Sequence, residues 1–453
     1  MNRRHFVRTG ATTLAAGLMS SRLPALAMHR RARALPSAAQ LQWQRDELAM
    51  FLHFGVNTFT DREWGDGTES PAIFNPVNLD ARQWARTARA GGFRSVILTA
   101  KHHDGFCLWP SRTTEHTVAK SPFRGGSGDV VREFVNACRA EGLRPGLYLS
   151  PWDRNNAAYG NSALYNDLYS DQLSELLTQY GPLAEVWFDG ANGEGPNGKR
   201  QVYDWPRTFA IVRRHQPDAV IFSDAGPDVR WCGNEKGFAG DPNWSTVDPS
   251  IVTYPGASGE GIGEALQHGS PTGTVWRPAE CDTSIRKGWF YHPADDATVR
   301  TADDLVDLYH LSVGRNAKLL LNVPPTRDGL LHDTDVARLT AFHSQLNTLK
   351  EPILSTGAET TWKVTGARTA ELEMTLARPG AVAAARLEED ITKGQFVSRY
   401  SLLGTNGVEW RVLATGSTIG YARLQRFAAM TVRRLKLVVE DAIDVPEPVT
   451  LTV

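Results

Sequence analysis

The chain has 453 residues, 41% of them hydrophobic, and a net charge of −1 at pH 7, enough for a barrel of ~250 to 350 residues and a smaller second domain. The first 27 residues contain Arg3, Arg4, Arg8 and Arg22 and no acid, so removing those four charges leaves about −5. That balance excludes the clustered basic footprint of a nucleic-acid binder, and no run of 18 apolar residues in the rest of the chain offers a membrane span.

The leader reads Asn2-Arg3-Arg4-His5-Phe6-Val7-Arg8, then an apolar stretch from Ala11 to Met19, then the small-x-small site Ala25-Leu26-Ala27. An arginine pair, apolar core and cleavage site in that order predict a twin-arginine export signal over 1–27 and a periplasmic or secreted product. A linker is expected over 28–40. Cys107, Cys138, Cys232 and Cys281 form no Cys-x-x-Cys pattern, and four free thiols are expected.

From there, short apolar runs alternate with helical patterns. The run Met50 to Val56 is followed by a helix over Asp80 to Ala90. Ser95 to Ala100 precedes a helix over Asp129 to Glu141, and Gly146 to Ser150 one over Ala163 to Tyr180. Glu185 to Phe188 precedes Trp205 to His215. The runs Val220 to Ser223, Thr274 to Trp276 and Leu319 to Val323 follow, with a helix over Ala302 to Val313. This order predicts a parallel sheet inside a helical layer, and the number of units favours a closed (β/α)8-type, TIM-like barrel over 41–350. The remaining strand is expected between Val247 and Tyr254. A helix over Asp333 to Leu349 closes the barrel domain. Beyond Leu354, short segments such as Glu371-Leu372-Glu373-Met374-Thr375 predict a C-terminal β-sandwich over 351–453. No Gly-x-Gly-x-x-Gly or Walker pattern follows the first strand.

Barrel enzymes carry their chemistry where strands leave the barrel. Those positions read Leu52-His53-Phe54-Gly55, Lys101-His102-His103-Asp104-Gly105-Phe106, Tyr148-Leu149-Ser150-Pro151-Trp152, Trp187-Phe188-Asp189-Gly190, Phe222-Ser223-Asp224-Ala225-Gly226, Glu280-Cys281-Asp282 and Asn322-Val323-Pro324-Pro325. Histidines and aromatics interleaved with carboxylates suit a sugar: aromatic faces cover its C–H edge, while imidazoles and carboxylates take its hydroxyls. A metal-dependent hydrolase is the rival, with His102, His103 and Asp104 as ligands. Adjacent histidines on a regular strand point to opposite faces, so the rival needs an irregular strand end.

Asp189 leaves an apolar run, Ala184 to Phe188, into a Gly/Asn-rich loop and is the candidate nucleophile for glycoside cleavage, which needs two carboxyl groups. Its partner is read as Glu235, in Arg230-Trp231-Cys232-Gly233-Asn234-Glu235, where a nearby Trp would raise its pKa by desolvation. Glu63, Glu194 and Glu280 compete for that role.

Five motifs, Leu52-His53-Phe54-Gly55, Glu63-Trp64, Lys101 to Phe106, Trp187-Phe188-Asp189-Gly190 and Gly288-Trp289-Phe290-Tyr291-His292, resemble glycoside hydrolase family 29, the α-L-fucosidases, across most of residues 45 to 330. The resemblance implies that Asp189 forms a covalent fucosyl-enzyme intermediate and that His53, His102, His103, Tyr148 and Trp187 hold the fucose. Glu63 and Trp64 would reach it from the loop after the first strand, and Trp289 would pack on its apolar edge. The segment Asp228 to Glu235, followed by Trp276-Arg277-Pro278-Ala279-Glu280, looks like the subfamily that cleaves α-1,3/1,4-fucosyl branches of Lewis-type glycans. That implies Glu235 as acid/base and places Arg230 in the substrate-binding set, although Cys232 stands where an aliphatic residue is expected. The resemblance implies no cofactor and a fucosylated oligosaccharide or glycoconjugate as substrate. A transfucosidase, an enzyme of other linkage preference and a non-catalytic fucose-binding protein are the alternative functions.

Overall fold

The computed structural model describes residues 33–350 and 354–453. The leader and cleavage site at 1–27 lie outside them. Ten strands occupy the first part of the chain: β1 (Leu48–Leu52), β2 (Ser95–Lys101), β3 (Arg144–Leu149), β4 (Glu185–Trp187), β5 (Val220–Phe222), β6 (Arg230–Trp231), β7 (Thr246–Val247), β8 (Val275–Trp276), β9 (Ala279–Ser284) and β10 (Ala317–Asn322). Eight of them form one sheet in the order β5-β4-β3-β2-β1-β10-β9-β6, with every pair parallel. The sheet curls until its edges meet. Phe222 and Val229 form a single parallel bridge, and the Asp228 carboxylate accepts the Ile221 N–H at 2.7 Å, so the expected (β/α)8-type barrel all but closes.

Two strand expectations are corrected. Val275–Trp276 pairs antiparallel with Thr246–Val247 outside the barrel, and the segment from Asp248 to Tyr254 carries no strand. The barrel is completed instead by β6 and β9. β9 reads Ala-Glu-Cys-Asp-Thr-Ser, fully buried, and gives no apolar run because it carries carboxyl groups into the interior.

The helices are α1 (Ala38–Asp46), α2 (Val56–Thr60), α3 (Ala81–Ala90), α4 (Val130–Ala140), α5 (Ser162–Gln179), α6 (Trp205–His215), α7 (Ile262–His268), α8 (Ala302–Leu311) and α9 (Asp333–Lys350). Asp80, Asp129 and Asp204 each cap the helix that follows, with a side-chain oxygen accepting a first-turn N–H. Strand side chains alternate between this outer layer and the barrel interior. Leu98, Leu147, Val186, Ile221 and Leu319 pack with the helices; Phe51, Ile97, Tyr148, Trp187, Phe222 and Leu320 fill the interior.

The lower end of the interior is polar and sealed by α1. This helix begins within the stretch read as a linker, and Ser37 with Gln40 forms a reciprocal capping box at its start. The Trp43 indole N–H donates to Glu185 Oε2 at 2.9 Å, and Lys318 Nζ lies 4.7 Å over the Trp43 ring. The same ammonium sits 3.5 Å from Glu185 and 4.0 Å from Glu280. Burial pushes the Glu280 carboxyl well above the usual range, Glu185 adds to the rise, and Lys318 opposes it.

The C-terminal sheet comprises β11 (Glu359–Val364), β12 (Ala370–Glu389), β13 (Val397–Thr405), β14 (Arg411–Gly416), β15 (Arg423–Ala442) and β16 (Val449–Thr452), all antiparallel. Register shifts after Thr375 and Val382 interrupt the pairing of the two 20-residue strands β12 and β15, bending them so that both halves enclose one core around Leu372, Leu387, Leu435 and Leu451. This sandwich docks on the barrel through Glu47, whose backbone is left-handed at φ 58. Its carboxylate accepts hydrogen bonds from Tyr309 (2.6 Å), Arg386 (2.8 Å) and Tyr421 (3.2 Å). Arg423 adds a two-pronged pair with Asp241, at 2.9 and 2.7 Å. All four cysteines are buried free thiols. Among the described residues no helix is long and apolar enough to cross a membrane.

Lys318→Ala leaves Glu185 and Glu280 buried without their shared cation and is expected to destabilise the protein by about 3 to 5 kcal/mol. Urea unfolding checks this, and a shift below about 1 kcal/mol would show that the ammonium does not hold the layer.

Candidate active site

Glu185 and Trp187 of β4 face the interior, so the period-two pattern carries Asp189 to the upper mouth. The glycine beside it is needed for space: a Cβ on Gly190 would lie 2.4 Å from Asp224 Oδ2 and 2.5 Å from the Gly256 nitrogen. One Asp189 oxygen, Oδ1, accepts the Ala191 N–H at 2.6 Å. The other, Oδ2, accepts the Tyr148 hydroxyl at 3.1 Å and faces His103 Nε2 at 3.8 Å. The carboxylate is thereby fixed in orientation, with its side chain still 29% exposed.

Three histidines frame it. His53 Nδ1 lies 2.9 Å from Asn322 Oδ1. The Asn322 amide nitrogen donates to Ser284 Oγ and the Trp289 carbonyl, at 3.0 and 2.8 Å. The amide oxygen can only accept, so His53 carries its proton on Nδ1 and leaves Nε2 as an acceptor. His103 behaves alike. The Ser150 hydroxyl donates to the Trp152 carbonyl at 2.7 Å, so its oxygen accepts from His103 Nδ1 at 2.8 Å and Nε2 is left facing Asp189. Burial holds His53 down to about 3 and His102 well below its ordinary value, with His103 and His53 adding to the fall. His103 is also lowered, burial outweighing the attraction of Asp189. Neutral imidazoles of this kind accept hydroxyl protons without forming a competing ion pair.

The irregularity at the end of β2 is present: its register with β3 slips between Thr99 and Lys101. His102 and His103 consequently lie ring against ring at 4.1 Å instead of on opposite faces. Lys101 turns into the helix layer, buried against Asp153 at 3.0 Å. The Asp104 carboxylate accepts the Phe106 N–H at 2.7 Å. Among the described residues no group of three His, Cys, Asp or Glu has metal-holding geometry.

Glu235 is raised from its ordinary value, first by burial and then by the negative charge of Asp189, with hydrogen bonding from Trp289 opposing. It therefore shares the electrostatic field of Asp189. Two of its competitors stand elsewhere, and the third, Glu63, adds to the rise of Glu235. Glu280 is buried beneath the floor, and Glu194 is an exposed loop residue. Glu63 accepts the backbone N–H groups of Trp289 and, at 3.3 Å, Phe290, and pairs with His292 Nε2 at 3.1 Å. It thus fastens the segment that brings the Trp289 ring within 5.0 Å of His53. Trp64 is exposed at the rim, 6.1 Å from Trp152 and 6.2 Å from His103.

Of the residues expected to bind substrate, Trp187 lies in the floor beneath the mouth and Arg230 is placed away from it. Trp187 stacks on Phe222 at 4.3 Å and donates its indole N–H downward to Glu280 at 3.1 Å, so it forms the floor. Arg230 is not brought to the site at all. Val229 and Trp231 take the inward positions, leaving Arg230 outward, where its guanidinium binds the Leu266 carbonyl (2.9 Å), the Arg277 carbonyl and Asn243 Oδ1 (2.7 Å). Sequence reading places Asp224, Asp282, Ser150 and Asn322 at strand ends but assigns them no role. Asp224 is pushed up to about 6 by burial and by Asp189. Asp282 is pushed up to about 8 by burial, with Glu235 and Asp189 adding. The signal available was the i, i+2 spacing of Glu280 and Asp282.

A family model described as alpha-L-fucosidase matches residues 57–351. A putative alpha-L-fucosidase 1 of Oryza sativa subsp. japonica is 44% identical over 435 residues, spanning 90% of this chain and 82% of that protein. The crystal structure of a putative alpha-L-fucosidase from Bacteroides ovatus is 43% identical with a TM-score of 0.81, covering 92% of this chain and 72% of the other. A Ruminococcus gnavus GH29 fucosidase in complex with fucose is 31% identical with a TM-score of 0.83, covering 93% and 95%. With its barrel, its sandwich and the rim around Asp189, the chain belongs to the α-L-fucosidases of glycoside hydrolase family 29.

Proposed function

We propose that the protein is a retaining exo-α-L-fucosidase that removes α-1,3/1,4-linked fucose from Lewis-type glycans, with Asp189 as nucleophile and Glu235 as acid/base. The observation that carries this reading is the pairing of an oriented, mouth-facing Asp189 carboxylate with a second carboxyl, on the solvent-facing Glu235, that is raised from its ordinary value by partial desolvation and by that same charge. Neutral His53, His102 and His103 supply acceptors for sugar hydroxyls, and Trp289 and Trp64 supply apolar faces. The twin-arginine leader fits work on glycans in the periplasm or outside the cell.

In the first step Asp189 Oδ2 attacks the anomeric carbon while Glu235 gives its proton to the departing glycosidic oxygen. In the second, the Glu235 carboxylate takes a proton from water, whose oxygen attacks the same carbon and releases fucose and the Asp189 carboxylate with retained configuration. The Tyr148 hydroxyl, donating to Oδ2, orients the nucleophile and shares the carboxylate charge that returns as the ester breaks.

Asp189→Ala is expected to remove nearly all turnover while the thermal midpoint stays within a few degrees; substantial residual activity would end the assignment. Glu235→Ala should cost roughly 10² to 10⁴-fold on a native trisaccharide and far less on nitrophenyl fucoside, whose leaving group needs no proton. Equal losses on both substrates would count against Glu235.

The raised Glu235 sets the sign of the pH response. The acid form is the active one, so kcat/KM on trisaccharides should fall as pH rises through its elevated pKa, and the alkaline limb should flatten with nitrophenyl fucoside. A limb that is the same for both substrates would assign it to another group.

Lewis-type trisaccharides, 2′-fucosyllactose and nitrophenyl fucoside assayed in parallel test the linkage. Release from the 2′-linked sugar alone would overturn the α-1,3/1,4 preference and leave the fucosidase reading intact.

A further inference from the structure

Asp282 has no part in the chemistry described above, yet it stands inside the barrel. Glu280, Asp282 and Ser284 occupy alternating positions of β9, which runs beside β10 with Asp282 opposite Leu320 and Ser284 opposite Asn322. Glu280 belongs to the polar layer below the floor, and Ser284 to the His53–Asn322 group at the mouth. Asp282 therefore lies one step beneath the sugar-facing rim. It is 5% exposed, and its Oδ1 accepts the Trp231 indole N–H at 2.7 Å.

Trp231 is the joint of this region. β6 aligns Trp231 with Glu280 of β9, and the ring touches two separate clusters. One is the interior around Phe51, Trp187 and Phe222; the other is the outer group of Ala225, Val252 and Leu266. Four residues later the chain reaches Glu235. The intervening turn is held by Asn234, whose amide nitrogen donates to the Phe238 carbonyl at 2.9 Å, and by Gly233 at φ 81. The indole held by Asp282 thus sits four residues before Glu235, on the strand from which the Glu235 segment leaves the barrel.

We propose that Asp282 is a positioning residue for the fucosidase reaction, locking the Trp231 indole so that the Trp231–Glu235 segment holds its carboxyl over Asp189. This rests on the assignment of Glu235 as acid/base. Two features support the role. A carboxyl oxygen at the end of a barrel strand is a more rigid acceptor for an indole than a loop carbonyl. Burial beside Glu235 and Asp189 also pushes Asp282 up to about 8, so at neutral pH it is an uncharged acid that accepts from Trp231 without adding a third anion beside the nucleophile.

The test compares Asp282→Ala, Asp282→Asn and Trp231→Phe on a Lewis-type trisaccharide and on nitrophenyl fucoside. Asp282→Ala is expected to lower kcat on the trisaccharide by roughly 10², with less than about tenfold loss on nitrophenyl fucoside and little change in KM. Asp282→Asn keeps a neutral oxygen acceptor and should recover most of that loss. Trp231→Phe removes the donor, and combining it with Asp282→Ala should add little to either alone, because both break one contact. Losses that are equal on both substrates, or additive in the double variant, would overturn the proposal, as would an Asp282→Asn variant as impaired as Asp282→Ala. Glu235→Ala, run alongside, separates the two readings. If it shows the leaving-group dependence and the Asp282 variants do not, the positioning role fails alone; if it does not, the acid/base assignment fails first.

Discussion

The site depends on the alternation of side chains along strands that are closed into a barrel over one buried ammonium. Lys318 lies between Glu185 and Glu280 with the Trp43 ring beneath it, and this layer determines which residues face inward one and two steps higher. Above Glu185 come Trp187 and Asp189; above Glu280 come Asp282 and Ser284; above Lys318 come Leu320 and Asn322. A one-residue slip in any strand would turn its rim residue into the helix layer. The buried charges exact a desolvation cost, but they also give the interior a register that a purely apolar filling would specify less sharply.

The electrostatics of the mouth follow from the same burial. Low dielectric disfavours charge on imidazoles and carboxyls alike, so the histidines are driven neutral while Glu235, Asp224 and Asp282 hold their protons more tightly. The carboxyl groups around Asp189 therefore keep their protons to higher pH than free ones would. Tyr148 and the Ala191 N–H are the donors aimed at it. Such a pocket suits an uncharged sugar, whose hydroxyls meet acceptors on several sides.

Much of this was legible in the sequence. The apolar runs ending in His53, His102-His103, Tyr148 and Asp189 are barrel strands because each is apolar enough to be buried on both faces. The slip at the end of β2, which the metal reading requires for ligation by both histidines, is present, and it brings the two adjacent rings together at one rim. What escaped was polar or short. β9 carries Glu280 and Asp282 into the interior, where the apolar-run criterion fails by construction, and β6 is two residues long. Without β6 in view the parity of Arg230 and Trp231 could not be read, so the arginine was assigned to the site while the tryptophan beside it faces inward. Trp187 illustrates a different limit. Its position on the inner face was evident, but its downward hydrogen bond depends on Glu280, a partner 93 residues away.

The outward course of Arg230 has a consequence for modularity. Its guanidinium grips Asn243, whose backbone in turn engages Thr418 and Gln395 in loops of the C-terminal domain. The weakest seam of the barrel, between β5 and β6, is thus splinted from outside by the appended sandwich. The two halves of the chain are not interchangeable cassettes joined at residue 350: a chimera that exchanged the sandwich would inherit a barrel whose β6 edge had lost its external brace unless the Asn243 contacts travelled with it.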